Sequence, residues 1–143
     1  MTRFRCAPFL LLLPLFLLVG CAASNLRGVV FDANGLQKEV SRITTNKGAY
    51  IELLDGLAVR RILLSKISVL MISPKEATSF KGELYYLTEI WLTDGNKIQS
   101  YVLPDGRRSG AYVNVNSVLT ASTSSGPFNI KLKDVKQVKF TRL

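Results

Sequence analysis

The chain has 143 residues, a formal net charge of +9 at neutral pH, two cysteines and no histidine. The length suffices for one ordinary domain or two very small ones. The lack of histidine removes the commonest general acid, general base and metal ligand.

The first twenty residues combine a basic start with a short apolar run. Arg3 and Arg5 precede residues 7–20, which are almost entirely apolar and carry two prolines. A membrane-spanning helix needs about 20 apolar residues, so this run is too short for a comfortable transmembrane anchor. A basic region followed by a short apolar region is typical of an export signal. We therefore predict that residues 1–20 are a signal peptide that is removed.

The apolar run ends in Leu18-Val19-Gly20-Cys21, where a small residue stands directly before a cysteine. This tetrapeptide resembles the lipobox of bacterial lipoproteins. The resemblance implies that signal peptidase II cuts between Gly20 and Cys21 and that the Cys21 thiol carries diacylglycerol. In that family the new amino group is often acylated too, and several acyl chains bind a bilayer far better than one. The alternative is an ordinary secretory signal cut near residues 21–24, which leaves a free thiol.

Cleavage before Cys21 leaves this residue as the sole cysteine, so the mature chain has no intramolecular disulfide. Residues 21–26 become a lipidated tether of roughly 20 Å, which holds the folded part close to the bilayer. In lipoproteins of enteric-type bacteria the residue after the cysteine directs sorting. Ala22 then implies the outer membrane, facing the periplasm, if the host is Gram-negative.

From residue 27 onward the sequence has the period-two pattern of β-strands. Segments such as "GAYIELLDG" and "LYYLTEIWLTDG" are rich in β-branched and aromatic residues and end at Asp-Gly turns. Helical spacing is limited to single turns at "LLSKI" and "LKDVK". The recurring carboxylates are Asp32, Asp55, Asp94 and Asp105, which we interpret as turn residues and not as a metal or acid/base site. We predict an all-β fold.

The mature sequence aligns with itself. Residues 32–53 match residues 94–115 without a gap, with seven of the 22 paired positions identical. This pattern predicts a duplicated unit, with copies at residues 27–73 and 89–143 joined by a linker at 74–88.

Beyond the first block the offset between the copies becomes 68, which sets Ile62 and Leu64 on Ile130 and Leu132. Four strands, a single turn and a last strand resemble SH3-like and Sm-like small barrels in layout only, which implies a shape and not an activity. Two arrangements remain open. Each copy forms its own SH3-like barrel, or two half-units of a barrel or sandwich share one core.

Basic residues are the candidates for binding an anionic surface. They comprise Lys131, Lys133, Lys136, Lys139, Arg107 and Arg108. The alternative is a solvated strand face on which lysine prevents pairing with other chains.

These patterns predict a non-catalytic interaction or assembly module of the cell envelope, without cofactor or metal. Its expected contacts are the membrane through the lipid anchor, a protein partner in the envelope, and anionic lipid or polymer. Aromatic residues on basic strands also occur in proteins that bind single-stranded nucleic acid, but export argues against that partner. The alternative function is a small-ligand carrier or enzyme that uses the barrel interior.

Overall fold

The computed structural model describes residues 25–142, and most of this stretch is β-strand. The prediction of an all-β fold is confirmed. The predicted signal peptide (residues 1–20), the cleavage site at Gly20 and Cys21, and the start of the tether lie outside the described residues, as does Leu143.

Thirteen strands and two single turns of 3₁₀ helix form within residues 25–142. The first group in chain order is β1 (Arg27–Asp32), β2 (Gln37–Thr45), β3 (Tyr50–Asp55), β4 (Ala58–Leu63), the first 3₁₀ turn (Leu64–Lys66), β5 (Ile67–Phe80) and β6 (Glu83–Leu92). The second group is β7 (Lys97–Ile98), β8 (Tyr101–Val102), β9 (Arg108–Ser109), β10 (Ala111–Asn114), β11 (Val118–Thr123), β12 (Gly126–Lys131), the second 3₁₀ turn (Leu132–Asp134) and β13 (Val135–Thr141).

Eleven of these strands form one curled sheet in which every neighbouring pair is antiparallel. The order is β12-β11-β2-β1-β13-β5-β6-β10-β3-β4, and β7 also pairs with β6. β8 and β9 form a separate two-stranded ribbon. The centre of the sheet is the β13–β5 pair, where Val138 lies opposite Leu70. β12 and β4 are therefore its two edges.

The same kind of strand order recurs on either side of the centre. One half reads β13-β1-β2-β11-β12, and the other reads β5-β6-β10-β3-β4. In each half a hairpin and a single 3₁₀ turn lead into the central strand, and these elements lie at the offset of 68 positions found in the sequence. Whether they derive from a duplicated unit stays a prediction.

Each half of the sheet draws strands from both predicted copies. β1 and β2 lie within residues 27–73, yet they pair with β13 and β11, which lie within residues 89–143. The expectation of two separate SH3-like barrels with these boundaries is therefore wrong. The physical reason is that hydrophobic periodicity specifies which face of a strand is buried but not which strand it pairs with.

The predicted linker at residues 74–88 is also corrected, because this segment is the outer part of the β5–β6 hairpin. The strands are joined by Lys81 and Gly82, which have φ of 49° and 78°. Positive φ at both central residues is the conformation that matches the twist of a two-residue hairpin. Between Ser73 and Ala77 the register shifts, so Pro74 falls in an irregularity where no ladder hydrogen bond is needed from its nitrogen.

One continuous hydrophobic core joins the two halves. Its most deeply buried members come from both sides of the centre and include Ile43, Leu64, Ile67, Leu70, Ile90, Leu119, Leu132 and Val138. Of the two arrangements that the sequence leaves open, the described residues have the shared core. None of the helices within residues 25–142 is long and apolar enough to cross a membrane.

Candidate interaction surfaces

The four predicted lysines are all exposed, but the structure does not gather them into one patch. Lys131 ends the edge strand β12, Lys133 lies in the second 3₁₀ turn, and Lys136 and Lys139 lie on β13 at the centre of the sheet. β11, β2 and β1 separate β12 from β13. Within residues 25–142 none of the four has a carboxylate oxygen within 4.0 Å. Their charges are therefore open to solvent and to a partner.

The predicted arginines lie at the β8–β9 ribbon and already have partners. Arg107 Nε is 2.6 Å from Asp105 Oδ2. Arg108 donates from Nη2 to Ser100 Oγ at 2.6 Å and lies 4.0 Å from Glu89 Oε1. Both arginines are exposed, but these carboxylates neutralise much of their charge.

A groove of about 680 Å³ lies beside this ribbon. Leu54 and Phe80 contribute apolar surface, while Glu76, Arg108 and Tyr112 contribute polar groups. The Tyr112 hydroxyl donates to the Arg108 carbonyl at 3.2 Å. Burial raises the pKa of Tyr112, and the negative charge of Glu76 raises it further. The groove is thus mixed in charge and is not a simple anion site.

A second groove, of about 340 Å³, contains an ion-pair network that the sequence did not predict. Lys47 Nζ lies 2.5 Å from Glu52 Oε2, and Arg61 Nε lies 3.3 Å from Glu52 Oε1. The hydrogen bond from Lys47 lowers the pKa of Glu52, and the same bond raises the pKa of Lys47. The carboxylate is charged at neutral pH, so this groove also presents balanced charge.

The space predicted for an interior ligand is filled. Leu64, Leu132 and Val138 are at most 1 % exposed, and Ile62 and Ile130 pack against the same core. The two grooves lie outside this packed interior. Within residues 25–142 no group of three or more acidic, cysteine or histidine residues is placed to hold a metal ion.

Strand register creates a basic cluster at the end of the sheet where the tether joins β1. Arg27 lies opposite Ser41 on β2 and opposite Thr141 on β13, so Arg42 and Arg142 each adjoin a partner of Arg27. Lys139 lies two residues before Thr141 on the same strand. We call Arg27, Arg42, Lys139 and Arg142 the tether-end cluster.

The tether-end cluster is exposed, and within residues 25–142 none of its members forms an ion pair. Among the side-chain carboxylates of residues 25–142, the nearest by register is that of Glu39, whose partner Val29 also lies opposite Lys139. Sequence reasoning identified Lys139 but missed the three arginines, because they are isolated along the chain and only strand pairing brings them together.

A row of apolar and basic side chains crosses the outer face beside this cluster. Trp91, Val69 and Lys139 lie opposite one another on β6, β5 and β13. Lys97 Nζ is 4.2 Å from the centroid of the Trp91 ring, and Lys139 Nζ is 5.4 Å from that of Phe31. Cation–π contacts of this kind keep lysines over aromatic faces while their charges stay in water.

Comparisons with known proteins identify no family or curated relative for this chain. No protein-family model matches the chain, and a search of curated proteins finds no match.

Proposed function

We propose that this chain is a bacterial lipoprotein that Cys21 anchors to an extracytoplasmic membrane surface. The observation that carries the proposal is the placement of "LVGC" at the end of the apolar run, six residues before β1 begins at Arg27. A lipobox must stand between an export signal and a folded domain, and in this proposal "LVGC" stands between the predicted signal of residues 1–20 and β1. Ala22 favours the outer membrane if the host is Gram-negative.

The β domain acts as a non-catalytic interaction or assembly module in this proposal. Its interior is a packed apolar core, so a partner must be recognised on the outside. Within residues 25–142 the outer surface carries exposed lysines that form no ion pair, together with the two grooves of mixed charge described above. These features suit an anionic lipid or polymer, or a protein partner in the envelope.

The anchor is tested by the intact mass of the protein purified from bacterial membranes. The expected mass corresponds to a chain that begins at Cys21 and carries diacylglycerol, with or without a further acyl chain. In a Cys21→Ser variant the lipid mass disappears and the chain no longer fractionates as a processed membrane protein. An unmodified thiol on a chain cut at residues 21–24 would instead support the ordinary secretory signal.

The interaction role is tested by cross-linking the lipidated protein in intact cells and isolating the products. We expect a reproducible envelope component that is lost when Arg107 and Arg108 are changed to glutamine, or when Lys131 and Lys133 are changed. Each pair removes two positive charges, and the control changes Lys75 and Lys81 to glutamine, which removes the same charge from exposed residues outside the predicted set. Equal recovery from wild type and both variants would contradict a role for the predicted basic residues.

A small-ligand carrier is the second candidate, and the groove of about 680 Å³ favours it. Such a carrier would use this external groove and not the barrel interior that the sequence suggested. Leu54, at 3 % exposure, lines this groove as well as the smaller one. Native mass spectrometry of the protein from its own membranes would detect a retained ligand.

A further inference from the structure

We infer that the tether-end cluster is a contact surface for the headgroups of an anionic phospholipid bilayer. The inference rests on the proposed function, because the lipid on Cys21 is what keeps the domain beside a membrane. It adds a defined surface and an orientation: the end of the sheet that carries Arg27, Arg42 and Arg142 faces the headgroups.

Strand pairing makes this end of the sheet basic. β1 lies between β2 and β13, and the two residues opposite Arg27 are Ser41 and Thr141. The positive φ of Arg42, 54°, marks an irregularity in β2 next to Ser41. β1 and β2 therefore each supply one arginine at this end, and Arg142 directly follows the last residue of β13. Lys139 supplies a fourth positive charge nearby.

The charges in this cluster are not used inside the domain. Elsewhere Lys47, Arg60, Arg61, Lys97, Arg107 and Arg108 have carboxylate partners within 4.0 Å. The four members of the cluster have none within residues 25–142, and Glu39 on the adjoining outer face forms no ion pair with them. Unneutralised cations near an anionic bilayer each strengthen attraction to it, by roughly fivefold per residue at moderate ionic strength.

The tether gives this end of the sheet little freedom to leave the membrane. Leu26 is 9 % exposed, and its carbonyl accepts a hydrogen bond from the Ile43 N–H at 3.2 Å. Leu26 lies five positions after Cys21, a distance that reaches about 17 Å in a fully extended chain. Salt screens the attraction between charges over about 8 Å at physiological ionic strength. A tether that is shorter than its full extension therefore brings the cluster close enough for anionic headgroups to attract it. The opposite end of β1, at Asp32, lies farther along the strand.

Trp91 provides a reporter for this orientation because the chain has a single tryptophan. It lies in the same cross-strand row as Lys139, opposite Val69 on β5. The lipidated full-length product is reconstituted into phosphatidylcholine vesicles that carry a dansyl-labelled headgroup. Energy transfer from Trp91 to the dansyl group then measures how closely this face of the domain approaches the bilayer.

We expect energy transfer to rise when phosphatidylglycerol replaces part of the phosphatidylcholine, and to fall again as salt is added. In the triple variant Arg27→Gln, Arg42→Gln, Arg142→Gln the rise with phosphatidylglycerol disappears. The matched control is Lys38→Gln, Lys75→Gln, Lys81→Gln, which removes the same charge from exposed lysines outside the predicted basic set and keeps the rise. Far-UV circular dichroism and thermal melting establish that both variants are folded.

Two contrary results have different meanings. If the wild-type protein does not float with vesicles after centrifugation, or floats equally well as Cys21→Ser, the anchor fails and the orientation fails with it. If the protein floats through Cys21 but the two triple variants respond identically to phosphatidylglycerol, the anchor stands and the tether-end cluster is not the contact surface.

Discussion

Glu52 is the carboxylate with the most complete ion-pair environment among the described residues. Its Oε2 lies 2.5 Å from Lys47 Nζ and its Oε1 lies 3.3 Å from Arg61 Nε, and its side chain is 21 % exposed. Its pKa is lower in the folded chain than in the unfolded chain, chiefly because Lys47 donates a hydrogen bond to it. The stabilisation is therefore fully present above the unfolded pKa of about 4.3 and is lost as pH falls through the folded pKa.

We expect Glu52→Gln to lower the free energy of unfolding by about 0.5–1 kcal/mol at pH 7, since this pair is partly exposed. The difference from wild type should shrink as pH falls below the unfolded pKa of about 4.3, and it should disappear once pH lies below the lowered pKa of the folded chain. Urea unfolding at several pH values measures both effects. Glu39→Gln is the control, because Glu39 has no ion pair within residues 25–142. A difference that persists unchanged at acid pH would contradict the ionic origin.

Thr88 is a buried polar residue whose hydroxyl ties β6 to β10. The side chain is 0 % exposed, and its Oγ1 donates to the Ala111 carbonyl at 2.8 Å. Thr88→Val keeps the shape and removes the donor, so we expect a loss of about 1 kcal/mol in the free energy of unfolding. Thr141→Val, at an exposed position, should leave it unchanged. Thermal melting of both variants measures the difference, and equal melting temperatures would contradict the role of this hydrogen bond.

Residue-scale features that depend on nearby sequence were predictable. Asp32 Oδ1 accepts hydrogen bonds from the Asn34 and Leu36 N–H groups, both at 2.9 Å. Asp94 and Asp105 make the same contact with the N–H two residues ahead. The interpretation of these aspartates as turn residues is confirmed. The Glu52 network and the tether-end cluster were not predictable, because their members come together only through hairpin folding or strand register.

At the scale of elements, β1 depends on close approach to β13. Gly28 on β1 lies opposite Phe140, and a Cβ atom at this position would overlap the backbone carbonyl oxygen of Lys139. The same Cβ would lie 3.2 Å from Cδ1 of Ile43. Glycine is needed here for space and not for an unusual dihedral angle.

We expect Gly28→Ala to lower the free energy of unfolding by about 2–3 kcal/mol, because β1 must separate from β13 to admit the methyl group. Gly35→Ala is the matched control, since Gly35 has φ of +83° but no atom within 4 Å of the added Cβ. That variant should cost only about 1 kcal/mol, from the backbone conformation alone. Denaturant unfolding compares the two. A larger loss at Gly35 than at Gly28 would contradict the packing argument.

The positions of the strands were predictable from the period-two pattern of apolar residues. Which strands occupy corresponding places in the two halves of the sheet was not. The alignment at offset 62 sets Tyr50 of β3 on Tyr112 of β10. These strands are neighbours in one half of the sheet and do not occupy matching places in the two halves. The later offset of 68 does match elements of the two halves. A local run of identical residues thus says less about architecture than a sustained order of strands and turns.

At the scale of the whole molecule, the centre of the fold is a pair of strands from distant parts of the chain. β5 and β13 each join one half of the sheet to the other through Leu70 and Val138, which are both 0 % exposed. β1 and β2 belong to the half that ends with β12, so they cannot complete their pairing until β11 and β13 have been synthesised. Such long-range pairing predicts slow folding relative to a protein with local contacts.

Each half of the sheet contains strands from before and after the Lys81-Gly82 turn, which gives a testable prediction for fragments divided at this turn. Residues 25–80 keep the β1–β2 and β3–β4 pairs, and residues 83–142 keep β6–β10 and β11–β12, but the pairs that join the fragments are lost. Isolated two-stranded units are marginal in water, so we expect each fragment alone to be largely unfolded. Mixed in equal amounts, the fragments should associate and recover the β signal in circular dichroism and the dispersed amide resonances of a folded sheet. Cooperative thermal unfolding of either fragment alone would contradict the shared core, since the strands of that fragment would then fold without those of the other fragment.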